Sequence, residues 1–251
     1  MASSVGLMFW FVFFFSMLHL RIHSASPSLS DVQLEALVAL RDSISEDPLG
    51  ALANWSNVTH HCSWYGITCD SSNTTVQSIS LFELQLRGTI SPFIGNISTL
   101  QILDLTSNSF FGPLPAQIGL CAELTGLSVS SNLLSGPIPP QLGNLKMVQI
   151  LRLESNFFNG SIPGSICNCT SLSALSLHTN NLTGQLPWDI GNLVTLGTFL
   201  AYQNQLVGPI PTSFWRMPPY PLIRCIQTIG MTNLESPPPV LYIADLLRIA
   251  L

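Results

Sequence analysis

The chain has 251 residues, with eight Lys and Arg against thirteen Asp and Glu, a net charge of −5, and only 8% charged residues overall. So sparse a set of cations excludes the basic footprint of a nucleic-acid binder, and no nucleic-acid partner is expected. Six cysteines and 47% hydrophobic residues then have to be placed along the chain.

Residues 1–24 read as a signal peptide. Val5 to Leu20 is an apolar run crowded with phenylalanine, followed by the small residues Ser24, Ala25 and Ser26, which fits cleavage near Ser24. The run lacks the usual preceding Lys or Arg, so an uncleaved membrane anchor is the alternative reading.

Residues 25–75 read as an N-terminal cap. Ser30 with Gln33 fits a capping box, and Leu34, Leu37, Val38 and Ile44 give one apolar helical stripe closed by Asp47-Pro48. Such a helix is placed to cover the open end of the first coil. Cys62 and Cys69, in an oxidising compartment, read as a disulfide around a short loop, worth about 2.5 kcal/mol by loop entropy. His60 and His61 beside Cys62 suggest zinc, but the second half of a four-ligand set is missing, so no metal and no cofactor are expected.

From 76 to 215 the chain repeats itself every 24 residues, six times. Leu100-x-x-Leu103-x-Leu105-x-x-Asn108 recurs as Leu124/Leu127/Val129/Asn132, Val148/Leu151/Leu153/Asn156, Leu172/Leu175/Leu177/Asn180 and Leu196/Phe199/Ala201/Asn204. Each copy continues into Gly112-Pro113-Leu114-Pro115 or its equivalent, down to Gly208-Pro209-Ile210-Pro211. A weaker first copy has Val76, Ile79 and Leu81, with Leu84 where Asn belongs. A fixed period in this range defines a leucine-rich-repeat solenoid, whose coils bury their apolar faces only by stacking. The expected class is an α/β solenoid with short parallel strands on the concave face and an N-terminal helical cap with a disulfide.

One coil explains its own fixed positions. Leu-x-Leu alternates with period two, so the leucines point inward and the residues between them outward. The internal Asn serves backbone groups that the turning chain leaves unpaired. Gly permits the bend that follows, and Pro removes a donor and ends the ladder on the far side. Cys121 and Cys169 occupy one repeat position two coils apart, about 10 Å, which is beyond disulfide reach, and read as buried thiols. Cys167 and Cys225 are left without a role.

Residues 216–251 form a divergent tail. Tyr220, Ile223 and Cys225 only faintly echo the repeat, Thr228 replaces its Asn, and Pro237-Pro238-Pro239 interrupts it. The apolar stretch from Val240 is too short for a spanning helix. It reads either as a short helix covering coil six or as an ill-fitting end left by truncation, the second being preferred because terminal coils need a polar cap.

The outward residues of successive strands stack in columns about 4.8 Å apart. One column reads Ser80, Asp104, Ser128, Arg152, Ser176, Leu200, and the next Phe82, Thr106, Ser130, Glu154, His178, Tyr202. The candidate ligand-binding residues are Asp104, Arg152, Glu154, His178 and Tyr202, since aromatic and Arg side chains are the usual anchors of interfaces. The plainer reading makes Arg152 and Glu154 a solvated ion pair worth under about 1 kcal/mol, with His178 and Tyr202 merely exposed. Asn-x-Ser/Thr sequons at Asn54, Asn57, Asn73, Asn96, Asn159, Asn168 and Asn181 become glycosylation candidates behind a signal peptide. No nucleophile motif, metal set or kinase motif is visible, so the chain is not expected to be an enzyme.

Asp31-Val32-Gln33-Leu34-Glu35-Ala36-Leu37, Asp47-Pro48-Leu49-Gly50, Asn54-Trp55, Cys62-x-Trp64-x-Gly66-x-x-Cys69 and the Gly-x-Ile/Leu-Pro coils together resemble the N-terminal ectodomain of plant leucine-rich-repeat receptor-like kinases. Leu86-Arg87-Gly88, Gly95-Asn96-Ile97-Ser98-Thr99-Leu100-Gln101 and Leu103-Asp104-Leu105-Thr106-Ser107-Asn108 look most like the flagellin-sensing members. The resemblance implies a secreted or plasma-membrane-facing module that binds a peptide, here a flagellin-derived one, along its inner face and recruits a co-receptor kinase in defence signalling. The chain departs from it in having about six coils, no spanning helix after them and no kinase, so phosphoryl transfer is not expected of these residues. Two other functions compete. One is a secreted inhibitor of a cell-wall-degrading enzyme, which predicts about ten coils and a cysteine-bearing C-terminal cap. The other is a truncated, non-functional product.

Overall fold

The computed structural model describes residues 28–216 except Asn57, and the backbone of 222–224. The expected signal peptide, the sequon at Asn57, Cys225 and nearly all of the expected tail lie outside the described residues.

The described residues open with a helix, α1 (Leu29–Asp42), whose N-cap is Ser28. The Ser28 hydroxyl accepts from Asp31 N–H at 3.2 Å, and the Asp31 carboxylate accepts from Ser28 N–H at 3.0 Å. The capping box is therefore Ser28/Asp31, not Ser30/Gln33. Gln33 faces the other way and is fully buried. Its Nε2 donates to Thr99 Oγ1 at 2.9 Å and its Oε1 accepts from Val76 N–H at 2.8 Å, fastening α1 to the first coil. Helix and repeat are thus joined by a polar clamp as well as by Ala36, Leu37 and Leu40, which are buried in the common core.

Two further boundaries differ from the sequence reading. α1 stops at Asp42, and Ile44 belongs to a short strand (Ile44–Glu46) paired antiparallel with Arg87–Gly88. Asp47 closes the next turn instead, its carboxylate accepting from Ala51 and Leu52 N–H at 2.9 and 2.8 Å. Cys62 and Cys69 are disulfide-bonded with Cα atoms 5.5 Å apart, as expected. Trp55 and Trp64 stack beside them, ring centroids 5.2 Å apart.

Then the coils begin. The strands Val76–Ser80, Ile102–Asp104, Gly126–Ser128, Ile150–Arg152, Ala174–Ser176, Thr198–Leu200 and Leu222–Arg224 form one parallel ladder, headed by an antiparallel strand, Ile67–Cys69. Residues 24 apart face one another, as in Leu103↔Leu127↔Leu151↔Leu175. All four leucines are fully buried. The parallel ladder reaches Arg224, so its pairing continues past residue 216 even where the side-chain pattern no longer repeats.

The asparagines hold each coil shut. Asn132 Oδ1 accepts from Phe110 N–H at 2.9 Å, and its Nδ2 donates to the carbonyls of Leu105, Val129 and Ser130 at 2.9, 3.2 and 3.1 Å. Asn156, Asn180 and Asn204 repeat this set one coil further on each time. The residue before each Asn takes the left-handed conformation without being glycine, from Ser107 (φ 55°) to Gln203 (φ 52°), which turns the chain sharply at the strand's end.

A second ladder, not foreseen from the sequence, runs down the side of the solenoid through Arg87–Gly88, Ser109–Gly112, Leu133–Pro137, Phe157–Ser161, Asn181–Gly184 and Gln205–Leu206. Here pairing is offset: Phe111 faces Leu133 and Asn159 faces Asn181. The four strands from Ser109–Gly112 to Asn181–Gly184 end at or just beyond a glycine of positive φ, such as Gly136 at 83°. Short 3₁₀ turns such as Pro140–Asn144 complete each coil on the convex side. Cys121 and Cys169 are buried free thiols donating to the carbonyls of Ile94 and Leu142 at 3.5 and 3.3 Å. Cys167 is likewise buried and free, and burial pushes both it and Cys121 up to about 11.

Candidate ligand-binding face

The register places the candidate residues in rows. Asp104 faces Ser128 and Ser128 faces Arg152 on successive strands, with Ser176 and Leu200 continuing the row. With strands about 4.8 Å apart, Asp104 and Arg152 lie about 10 Å apart. Neither is within ion-pair distance of an opposite charge: among the described residues the pairs are Arg41–Asp42 and Arg87–Glu46. The solvated Arg152–Glu154 pair weighed from sequence is therefore absent.

Glu154 sits differently from a surface carboxylate. Its Oε2 is buried with no hydrogen-bond partner. Burial raises its pKa above the ordinary value, against weaker opposing pulls from its own backbone, the Arg152 charge and the Ser130 hydroxyl. One coil on, His178 lies flat against Tyr202, centroids 4.4 Å apart and planes within 5°. Burial lowers the pKa of His178 from 6.5, so the imidazole resists protonation. Its Nδ1 is 3.1 Å from Thr179 Oγ1, which in turn donates to Gln203 Oε1 at 2.7 Å.

Between these charged and aromatic ends lies a hydroxyl patch. Thr106 and Ser128 share a hydrogen bond of 2.7 Å, and Ser130 donates to Thr106 at 3.3 Å. The patch is already satisfied internally, and Ser130 and Ser176 are buried by their neighbours. Of the five candidate residues Arg152 is exposed, and Asp104, Glu154, His178 and Tyr202 are half-buried.

The sequence reading missed a third outward column. The residue before the first leucine of each strand reads Ser78, Ile102, Gly126, Ile150, Ala174, Thr198, in register throughout. Ile102 and Ile150 are 46% and 39% exposed. The same period-two argument that selected the other two columns selects this one, because Ile102 and Asp104 share a face.

His60, His61 and Cys62 do bring their ligand atoms within 4.8 Å of one another. The Cys62 sulfur is consumed by the disulfide, His60 Nδ1 accepts from Cys62 N–H, and His61 Nε2 is buried without a partner. What remains is two imidazoles in a stacked pair, 4.4 Å between centroids, a poor fit to a tetrahedral zinc set. Of the sequons, Asn54, Asn73, Asn96, Asn159, Asn168 and Asn181 are all exposed. Asn54 differs in that its amide is engaged, donating to Ser63 O at 3.0 Å and accepting from Tyr65 N–H at 3.1 Å. Among the described residues no helix is long and apolar enough to cross a membrane.

The repeat geometry is matched by family patterns on both sides of the cap boundary. Residues 30–70 match the Leucine rich repeat N-terminal domain, and 99–121, 123–145, 147–169 and 171–193 match the Leucine Rich Repeat. The chain belongs to the leucine-rich-repeat proteins, and its likeness within them is to plant receptor ectodomains. The LRR receptor-like serine/threonine-protein kinase EFR of Arabidopsis thaliana is 35% identical over 91 residues, 36% of this chain and 9% of that protein. The structure of PEPR1 with AtPEP1 superposes with a TM-score of 0.70 at 35% identity, over 73% of this chain and 26% of that one. The Arabidopsis receptor kinase HAESA, in complex with the peptide hormone IDA and the co-receptor SERK1, superposes at 0.57 and 29% identity, over 73% and 35% of the two chains. This chain thus spans a minor part of the length of these relatives.

Proposed function

We propose that the chain is an extracellular recognition module, equivalent to the N-terminal part of a plant pattern-recognition receptor, that binds a peptide across its concave face. The observation that carries this reading is the unpaired state of that face: Arg152 without an ion pair, Glu154 with a buried, unbonded oxygen, and His178 stacked on Tyr202, all on adjoining coils. A face of this kind has unspent hydrogen-bonding and stacking capacity, and such desolvated charges and aromatic platforms are where interface energy concentrates. Of the structures that superpose on this chain, HAESA was solved with a peptide hormone ligand and PEPR1 with AtPEP1. A co-receptor kinase is the expected second partner, by the same likeness.

The ligand proposed is a flagellin-derived peptide, on the strength of the Leu86–Gly88 and Gly95–Gln101 phrases. The exposed sequons support passage through the secretory pathway, with glycans on the Asn side chains. Calorimetry of the secreted chain against a flagellin-derived peptide tests the assignment. Heat of binding that Tyr202→Ala and Arg152→Gln each diminish supports it. Absence of heat at high peptide concentration removes flagellin as the ligand.

A further inference from the structure

We propose that Gly126 is the floor of a side-chain subsite on the concave face, walled by Ile102 and Ile150, that takes one apolar side chain of a left-handed, extended peptide. It rests on the reading of this face as peptide-binding and specifies what that peptide carries.

Gly126 lies mid-ladder, paired with Ile102 on one side and Ile150 on the other. The usual structural reasons for glycine do not apply there. It does not have positive φ, unlike Gly136 and Gly160. A Cβ added to it would meet nothing within 4 Å, whereas one added to Gly119 or Gly143 would lie 2.3 Å from a backbone oxygen of the next coil. Glycine in a strand forgoes side-chain packing and costs more backbone entropy than any other residue. What it leaves in exchange is an open notch. The two isoleucines stand two strand spacings apart, about 10 Å, with nothing larger than hydrogen between them on the floor. Both present a large share of their side chains to solvent.

The neighbouring row fixes the rest of the ligand. Asp104, Ser128 and Arg152 run parallel to Ile102, Gly126 and Ile150, two residues further along each strand. A peptide crossing the coils therefore meets a carboxylate and a guanidinium about 10 Å apart, both without ion-pair partners among the described residues. In a polyproline-II peptide, residues i and i+3 lie on one face about 9.3 Å apart. A basic residue at i then reaches Asp104 and an acidic residue at i+3 reaches Arg152. One of the two residues between them is rotated by a third of a turn toward the notch, where an aliphatic or aromatic side chain is covered on three sides. Such a ligand arrives with little conformational entropy left to lose.

A phage-displayed linear octapeptide library, selected on the intact secreted chain, tests this. Enriched sequences are expected to carry Lys or Arg three positions from Asp or Glu, with an apolar residue between. The selected peptide, made synthetically, should bind Gly126→Val at least tenfold more weakly. That variant has room for its side chain and a strand-favouring residue, and the double variant Ile102→Ser/Ile150→Ser should show the same loss. Enrichment without an apolar residue, or affinity unmoved by both variants, overturns the subsite. If those peptides still lose affinity on Tyr202→Ala, the concave-face reading survives without the notch. If nothing is enriched, both readings fall.

Discussion

The imidazole of His178 lies parallel to the phenol ring of Tyr202, 4.4 Å between centroids, because residues 24 apart fall side by side on parallel strands. The covering ring is part of what removes His178 from water, and burial is what lowers its pKa below 6.5. Tyr202→Ala should therefore move the His178 pKa back toward 6.5 in an NMR titration of its ring protons. A titration indifferent to the substitution would mean that the stack does not shield the imidazole. The linkage sign follows: the unfolded chain takes up this proton first, so His178 lowers stability as pH falls from 6.5 through its folded pKa, and His178→Asn should remove that contribution.

Glu154 carries the opposite sign. Its folded pKa is raised, so the stability associated with its protonated form is complete below the ordinary value of 4.5 and is lost as pH rises through the folded pKa. Glu154→Gln should flatten urea-unfolding stability across that range and leave it unchanged or higher at neutral pH. A steeper loss in Glu154→Gln would mean that the buried oxygen has a partner it needs.

Much of this architecture is legible in the sequence for a physical reason. Burial with period two and a repeat of 24 fix which side of each strand Leu103, Leu127 and Leu151 face, and the same register aligns Asp104 with Arg152. The disulfide and the buried thiols follow from spacing and compartment. What sequence could not give is where competing local options resolve. Ser28 and Ser30 are both sound N-caps, and the choice of Ser28 frees Gln33 for the clamp to Val76 and Thr99. The second ladder was hidden because its pairing is offset from the 24-residue register, as in Phe111↔Leu133. The loss of an Arg152–Glu154 pair depends on side-chain directions that a two-residue spacing does not specify.

The asparagine ladder is a stability element with a defined cost. Asn132→Leu keeps the volume but strips the Asn132 acceptor from the buried Phe110 N–H, while the carbonyl of Leu105 keeps the Asn108 amide as a donor. Leaving that N–H unsatisfied costs about 1–3 kcal/mol. Urea denaturation of the variant should show a loss of about 2 kcal/mol. A loss below about 1 kcal/mol would contradict the role assigned to the amide.

The cap should respond to reductant. Opening the Cys62–Cys69 bridge restores chain entropy to the unfolded state and should cost about 2.5 kcal/mol. Thermal unfolding with and without dithiothreitol measures this, and a Cys62→Ser/Cys69→Ser chain should be insensitive to the reagent. An equal shift in that variant would place the effect elsewhere.

The most direct test is methyl NMR on the isoleucine-labelled chain during titration with the peptide selected on it. Ile102 and Ile150 should shift progressively to saturation while the core methyls of Ile94 and Ile118 stay in place. Shifts confined to the convex side, or none on Ile102 and Ile150 at saturating peptide, would contradict recognition by the concave face.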